Sequence, residues 1–241
     1  MHPITKNKTI PLLHKLSPYK IATGIAILFH GIGLTGILFF DNIFFSKATP
    51  FNLLLSAALL VWTQKEKNKY FYFFAAITCT AGFAAEVIGV NTGLLFGDYN
   101  YGNVLGLQWQ NVPLVIGINW FIVLYCCGIS IHTFLTKVID EVAARTKTPP
   151  PILKAMSVIG DGATLAVLFD WLIEPVAIKL GYWHWLGDGG IPLYNYICWI
   201  TISALLLAFF HFCKFNKQNK FAVNLFLIQG MFFLLLRTFL K

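Results

Sequence analysis

The chain has 241 residues, of which 57% are in the hydrophobic set and 12% are charged, against roughly 25% charged in soluble domains; the mean hydropathy is +0.69. A soluble globule of this length cannot hide so much apolar surface, and at about 20 residues per crossing the chain has room for seven membrane helices but not for a separate soluble catalytic domain. A net charge of +8 would suggest nucleic acid in a soluble protein, but here the lysines fall between apolar runs and read as topology signals, so no nucleic-acid partner is expected.

Residues 1–20 form a basic arm. The apolar run behind it is longer than the core of a cleavable signal peptide, about 7–15 residues, and Ser46-Lys47-Ala48 is not read as a cleavage site. Apolar segments follow at 21–40, 44–62, 70–90, 112–135, 152–172, 191–212 and 221–240. The second is interrupted by Lys47, Pro50 and Asn52, which suggests a short span beginning near Pro50; the fifth carries Asp161 and Asp170, with Glu174 just beyond it. The expected fold is all-α: a polytopic helical bundle of about seven transmembrane helices in one integral membrane domain, 1–241.

Lys6, Lys8, Lys15 and Lys20, then Lys65, Lys67 and Lys69, then Lys137, Arg145, Lys147 and Lys154, then Lys214, Lys217 and Lys220 fall in alternate connections; only Lys47, Lys179, Arg237 and Lys241 fall on the other side. Fourteen cations against four place the N-terminus in the cytoplasm and the C-terminus outside.

Two stretches echo each other. Val112-Pro113-Leu114 is followed by Ile118 and Trp120, and Ile191-Pro192-Leu193 by Ile197 and Trp199, at the same offsets. Each proline is expected where a helix begins, since its missing N–H costs little there. Ahead of each lies a Gly- and aromatic-rich loop, with Tyr99 and Tyr101 in one and Tyr182, Trp183 and Trp185 in the other; ahead of each loop a helix ends in an acid, Glu86 or Glu174. Segments three and four would thus repeat as five and six in the same orientation, as in parallel membrane repeats.

Carboxylates at membrane depth are costly and usually face a bundle interior or a wet cavity. Glu86, Asp170 and Glu174 are the candidate catalytic acids; Asp170 and Glu174 are four residues apart and share a helix face, whereas Asp161 points elsewhere. Tyr99, Tyr101, Trp120, Trp183, Trp185 and Trp199 can offer ring faces to a cation, and Asn119 and Asn195, one in each half, can place a water or bond across helices. Interfacial anchoring is the default reading of any one of these rings, and of Trp109, Trp171 and Tyr182 with them. The six histidines include no H-x-x-x-H or H-x-x-H-H spacing, which speaks against a di-iron hydroxylase or desaturase, and no metal site is expected. Gly31-x-Gly33-x-x-Gly36 lies inside the first apolar run without the strand a nucleotide fingerprint requires and reads as helix packing. The seventh run has no lysine before Lys241, so a retinal Schiff base is not expected. Cys79, Cys126, Cys127, Cys198 and Cys213 read as small core residues.

Glu86-Val87-Ile88-Gly89-Val90-Asn91-Thr92-Gly93, Phe96-Gly97-Asp98-Tyr99-Asn100-Tyr101, Leu105-Gly106, Val112-Pro113-Leu114 and Asn119-Trp120 resemble the signature of a membrane carotenoid-biosynthesis family. Asp170, Glu174-Pro175, Gly181-Tyr182-Trp183-His184-Trp185, Ile191-Pro192-Leu193-Tyr194-Asn195 and Trp199 resemble its second block. The resemblance covers about residues 80–200. It implies the carotenoid 1,2-hydratase or bisanhydrobacterioruberin hydratase type: cofactor-free addition of water to a terminal C1=C2 double bond. In that chemistry Asp170 or Glu174 protonates C2, the aromatics face the tertiary cation at C1, and Glu86 is the water's base or a partner. The substrate would be a lipophilic carotenoid met in membrane lipid, with other carotenoid-biosynthesis enzymes as partners. Lys- and Asn-rich polar segments suggest an AT-rich bacterium, and the expected location is its inner membrane. A lycopene-type cyclase, which shares the first protonation, and a proton-coupled transporter are the alternatives.

Overall fold

The computed structural model describes residues 17–143, 151–187 and 189–241. The elements run α1 Pro18–Phe39, α2 Asn42–Ser46, α3 Thr49–Thr63, α4 Lys69–Thr92, β1 Tyr99–Tyr101, β2 Gln108–Trp109, β3 Val112–Pro113, α5 Val115–Ala143, α6 Pro151–Lys179, β4 Trp183–Trp185, α7 Leu193–Phe212 and α8 Lys220–Phe239. Among the described residues seven helical stretches are long and apolar enough to cross a membrane, α2 and α3 together making the second. The chain is an all-α polytopic membrane protein.

Local chemistry sets the helix ends. Asn68 caps α4 by accepting from the Tyr70 and Phe71 N–H groups, Asn219 caps α8 by accepting from Phe221 N–H, and Gly93 closes α4 in the left-handed conformation that glycine adopts without steric cost. Asp41 caps α2 through Phe44 N–H. The second crossing breaks between Ser46 and Thr49, and its longer helix carries Pro50 in the first turn, where no helical N–H is lost.

Helix α5 is the axis of the bundle, touched by α3, α4, α6, α7 and α8. Every residue from Trp120 to Ile129 other than Gly128 is an apolar residue buried in the core, which is why this segment is apolar all round rather than along one stripe. The outer helices keep large apolar side chains on the far side, among them Ile32, Phe73, Leu205 and Leu234, as lipid contact requires. Of Gly31, Gly33 and Gly36, only Gly36 is closely packed: a side chain there would collide with the Phe45 ring, whereas one on Gly31 would meet nothing within 4 Å.

The loops sort to two ends. Gln64 Nε2 donates to Asn216 O at 2.7 Å and Asn68 Nδ2 to Lys214 O at 2.9 Å, so the loops bearing Lys65, Lys67 and Lys69 and Lys214, Lys217 and Lys220 meet at one end. At the other, Lys179 Nζ donates to Leu240 O at 2.7 Å, and the Thr49 and Tyr182 hydroxyls are bonded at 2.6 Å. The basic arm with Lys6, Lys8 and Lys15, and the connection with Arg145 and Lys147, lie outside the described residues.

Three expectations need correction. Val112 and Pro113 are not helical: they form β3, paired to β2 across Gln110 and Asn111, whose φ values of 52° and 63° make the two-residue hairpin of the primed turn class. Ile191 and Pro192 also precede their helix, with Pro192 as the N-cap of α7. Helix α6 does not stop near Leu172 but continues through Pro175 to Lys179, putting Glu174 inside it. Proline removes the N–H that would bond the carbonyl four residues earlier. Here that carbonyl, Trp171 O, accepts instead from Arg237 Nη1 at 2.8 Å, while the guanidinium lies 3.8 Å from the Trp171 ring centroid.

Candidate functional site

At the end of the bundle where α4 and α6 finish and α5 and α7 begin, β1 and β4 pair antiparallel, with Tyr99 opposite Trp185, Asn100 opposite His184 and Tyr101 opposite Trp183. Strands of three residues do not persist alone; what fixes them is the acid each loop reaches back to. On α4, the buried Glu86 accepts from Tyr99 Oη at 2.5 Å and Tyr101 Oη at 2.9 Å on one oxygen, and from Trp120 Nε1 at 2.9 Å on the other. On α6, the buried Glu174 accepts from Trp183 Nε1 and Trp185 Nε1, both at 3.0 Å, on Oε2, and from Asn195 Nδ2 at 3.4 Å on Oε1. The repeated unit is therefore a helix whose acid holds the aromatic loop that follows it, and the two units face each other across the paired strands.

Trp120 and Trp199, the matched tryptophans of the echo, stack with centroids 4.1 Å apart and planes 10° apart. Phe96 sits beside both, at 6.3 Å and 6.4 Å. It holds φ 65°, uncommon for a bulky residue, and its N–H donates to Cys198 Sγ at 3.3 Å.

The halves differ in what stands beside the acid. Four residues before Glu174 stands Asp170; four before Glu86 stands Gly82. A side chain on Gly82 would collide with the Trp120 indole. In the first half, then, the ring fills the space next to the acid and reaches Glu86. In the second half that space holds a second carboxyl, and Asn195 Nδ2 donates to Asp170 Oδ2 at 3.0 Å. Asn195 thus bridges Asp170 and Glu174, while Asp170 Oδ1 has no donor among the described residues.

Glu86, Asp170, Glu174, Tyr99, Tyr101, Asn119, Trp120, Trp183, Trp185, Asn195 and Trp199 all line one cavity of about 40 Å³, together with Phe96 and Ile116. The structure thus brings all eleven sequence candidates together and adds two. Phe96 was in the signature block but carried no polar group to single it out, and Ile116 had no signal beyond matching Asn195 in the echo. Asp161 stands apart, exposed and bonded by Ser157 Oγ. Trp109 stacks on Phe83 at 5.9 Å, away from the cavity, and Tyr182 faces Thr49. Burial, with the Glu86 carboxylate beside them, pushes the Tyr99 and Tyr101 phenols up, so both remain hydrogen-bond donors. Among the described residues no three His, Cys, Asp or Glu are grouped to hold a metal ion.

A family model described as carotenoid biosynthesis protein matches residues 49–240. The chain belongs to that family. No curated protein and no solved structure matches it. The matched span of this carotenoid biosynthesis protein runs from the start of α3 to the end of α8 and contains every residue lining the cavity; α1 and α2 lie outside it.

In this carotenoid biosynthesis protein the two halves approach at backbone distance. Gly102 N–H donates to Tyr182 O at 2.9 Å, and a Cβ on Gly102 would collide with the Gly181 carbonyl oxygen. Backbone cannot swing aside as a side chain can, so Gly102→Ala is expected to cost about 1–3 kcal/mol, the usual range for overpacking. Thermal unfolding in detergent, compared with the parent, measures it; an unchanged midpoint would mean that the paired strands can part freely.

Proposed function

We propose that this protein adds water to the terminal C1=C2 double bond of an acyclic carotenoid end group, without a cofactor, as a hydro-lyase of the bacterial inner membrane. The observation that carries the reading is the buried cavity in which three carboxyls of unequal hydrogen bonding face stacked indoles.

Hydration of a trisubstituted alkene begins with proton transfer to C2. Among the described residues Glu86 and Glu174 each have three donors, which favour the ionised form of both, whereas Asp170 has one donor and none on Oδ1. Asp170 is the proton donor. Its O–H bond breaks as C2–H forms, and the π electrons leave C1 as a tertiary cation. Trp120 and Trp199 offer it π faces, and the Glu86 carboxylate, fixed by Tyr99, Tyr101 and Trp120, supplies a preorganised negative charge. Of the two roles open to Glu86, partner rather than base fits its occupied oxygens. Water then bonds to C1, and its proton passes to Glu174 Oε1, the oxygen with only the long 3.4 Å contact. Transfer from Glu174 to Asp170, side by side under Asn195, restores the starting state with one water added.

Expression in a lycopene- or γ-carotene-producing bacterium, followed by pigment mass spectrometry, tests the reading. The expected product is heavier by one water and carries a tertiary hydroxyl. An isomer of unchanged mass would replace hydration by cyclisation, in which an internal alkene captures the same cation.

A further inference from the structure

Across the α5–α6 wall from the carboxyl chamber lies a second cavity of about 50 Å³. Ile116, Asn119 and Trp183 line both. The second is mostly apolar, with walls from α3, α6 and α8, but three polar features face it: the bonded Thr49 and Tyr182 hydroxyls, the Asn119 amide and the Gln229 amide. Gln229 is 6% exposed. Neither its amide nor that of Asn119 has a hydrogen-bond partner among the described residues. A buried primary amide carries two donors and a two-lone-pair acceptor, and leaving them unmet inside a membrane bundle is costly.

We propose that this annex is the water chamber of the reaction: Gln229 and Asn119 hold the attacking water there, and Asn119, which faces both cavities, hands it to C1. The inference rests on the hydration reading. A water needs about 10–15 Å³ and two to four polar partners, and the annex supplies both. The carboxyl chamber, at about 40 Å³, has room for about three waters on the same measure and none to spare once an isoprenoid end group occupies it. The nucleophile must therefore wait next door, close to C1 yet separate from the proton donor. Gln229 is a positioning residue that never touches the alkene.

The test uses membranes containing the whole protein, a lycopene-type substrate and deuterated water, at matched protein levels. A cation that forms but meets no water must lose a proton again. Gln229→Leu is therefore expected to lower hydrated product by at least about tenfold, a modest share of what misplacing a reactant can cost. Recovered alkene should meanwhile gain deuterium at C2 or shift to the terminal methylene isomer. Gln229→Glu, which keeps a polar group in the annex, is expected to restore most of the hydration. Hydration by Gln229→Leu equal to the parent's would overturn the water chamber. So would a parallel fall in product and deuterium uptake, because Gln229 would then act on folding or on the proton step. If the parent itself gives neither hydrated product nor deuterated alkene, the hydration reading fails and takes the chamber with it.

Discussion

Asp170→Asn is expected to lower turnover of the terminal alkene by at least about 100-fold, the low end for a lost general acid or base. The amide keeps the volume of the carboxyl and can still accept from Asn195 Nδ2, so the helix pair should stay packed; what it lacks is a proton it can give to carbon. Glu174→Gln is expected to fall as far for a different reason. Its amide oxygen can still take the Trp183 and Trp185 donors, but the group that accepts the water's proton is gone. Glu86→Gln removes the negative charge facing the cation. It also strands a donor, because three N–H and O–H groups converge on two oxygens and an amide nitrogen accepts none of them; an unpaired buried donor costs about 1–3 kcal/mol. Asp161→Asn, on an exposed position bonded only to its own helix, should leave turnover close to the parent's. Pigment conversion in membranes with equal protein levels measures all four. Near-normal conversion by the first three would place the proton donor elsewhere in the chain.

The halves of the site differ in how far sequence could reveal them. Hydropathy delimits the spans because each crossing needs a long apolar run, and buried acids stand out against that background, so Glu86, Asp170 and Glu174 were legible. The Pro-to-Trp offset exposed the repeat, and the face-to-face stack of Trp120 and Trp199 is its structural counterpart. The pairing of β1 with β4 was not legible: three residues carry no usable alternation, and these strands exist because side chains anchored on Glu86 and Glu174 hold them together. The course of α6 through Pro175 was hidden because the compensating donor, Arg237, comes from another helix. Gly82 carries no signal in the sequence, because the space it leaves is filled by the Trp120 ring of another helix. Gln229 gave no signal, being a lone amide in an apolar run whose meaning depends on the cavity it faces.

The new hydroxyl is expected to take its oxygen wholly from water and its C2 hydrogen from an exchangeable acid. Every step assigned to the site moves a proton or an electron pair within the substrate, and none moves an electron out of it, so neither dioxygen nor a reductant enters the balance. Purified membranes should therefore form product anaerobically, with no reductant or metal added. In heavy-oxygen water the tertiary hydroxyl carries the label. In deuterated water one deuterium appears at C2, because the Asp170 proton is replenished by way of Glu174 from the attacking water itself. That return path makes the two labels coupled: both come from the same solvent pool, and both should vanish together in Asp170→Asn. Label from dioxygen in the hydroxyl would falsify the mechanism outright, since it requires a C–H bond to be oxidised rather than an alkene protonated. A water-derived hydroxyl with no deuterium at C2 would have a narrower meaning. Water capture would stand, but the hydrogen at C2 would have arrived without passing through a solvent-exchanging carboxyl, and Asp170 would lose its role.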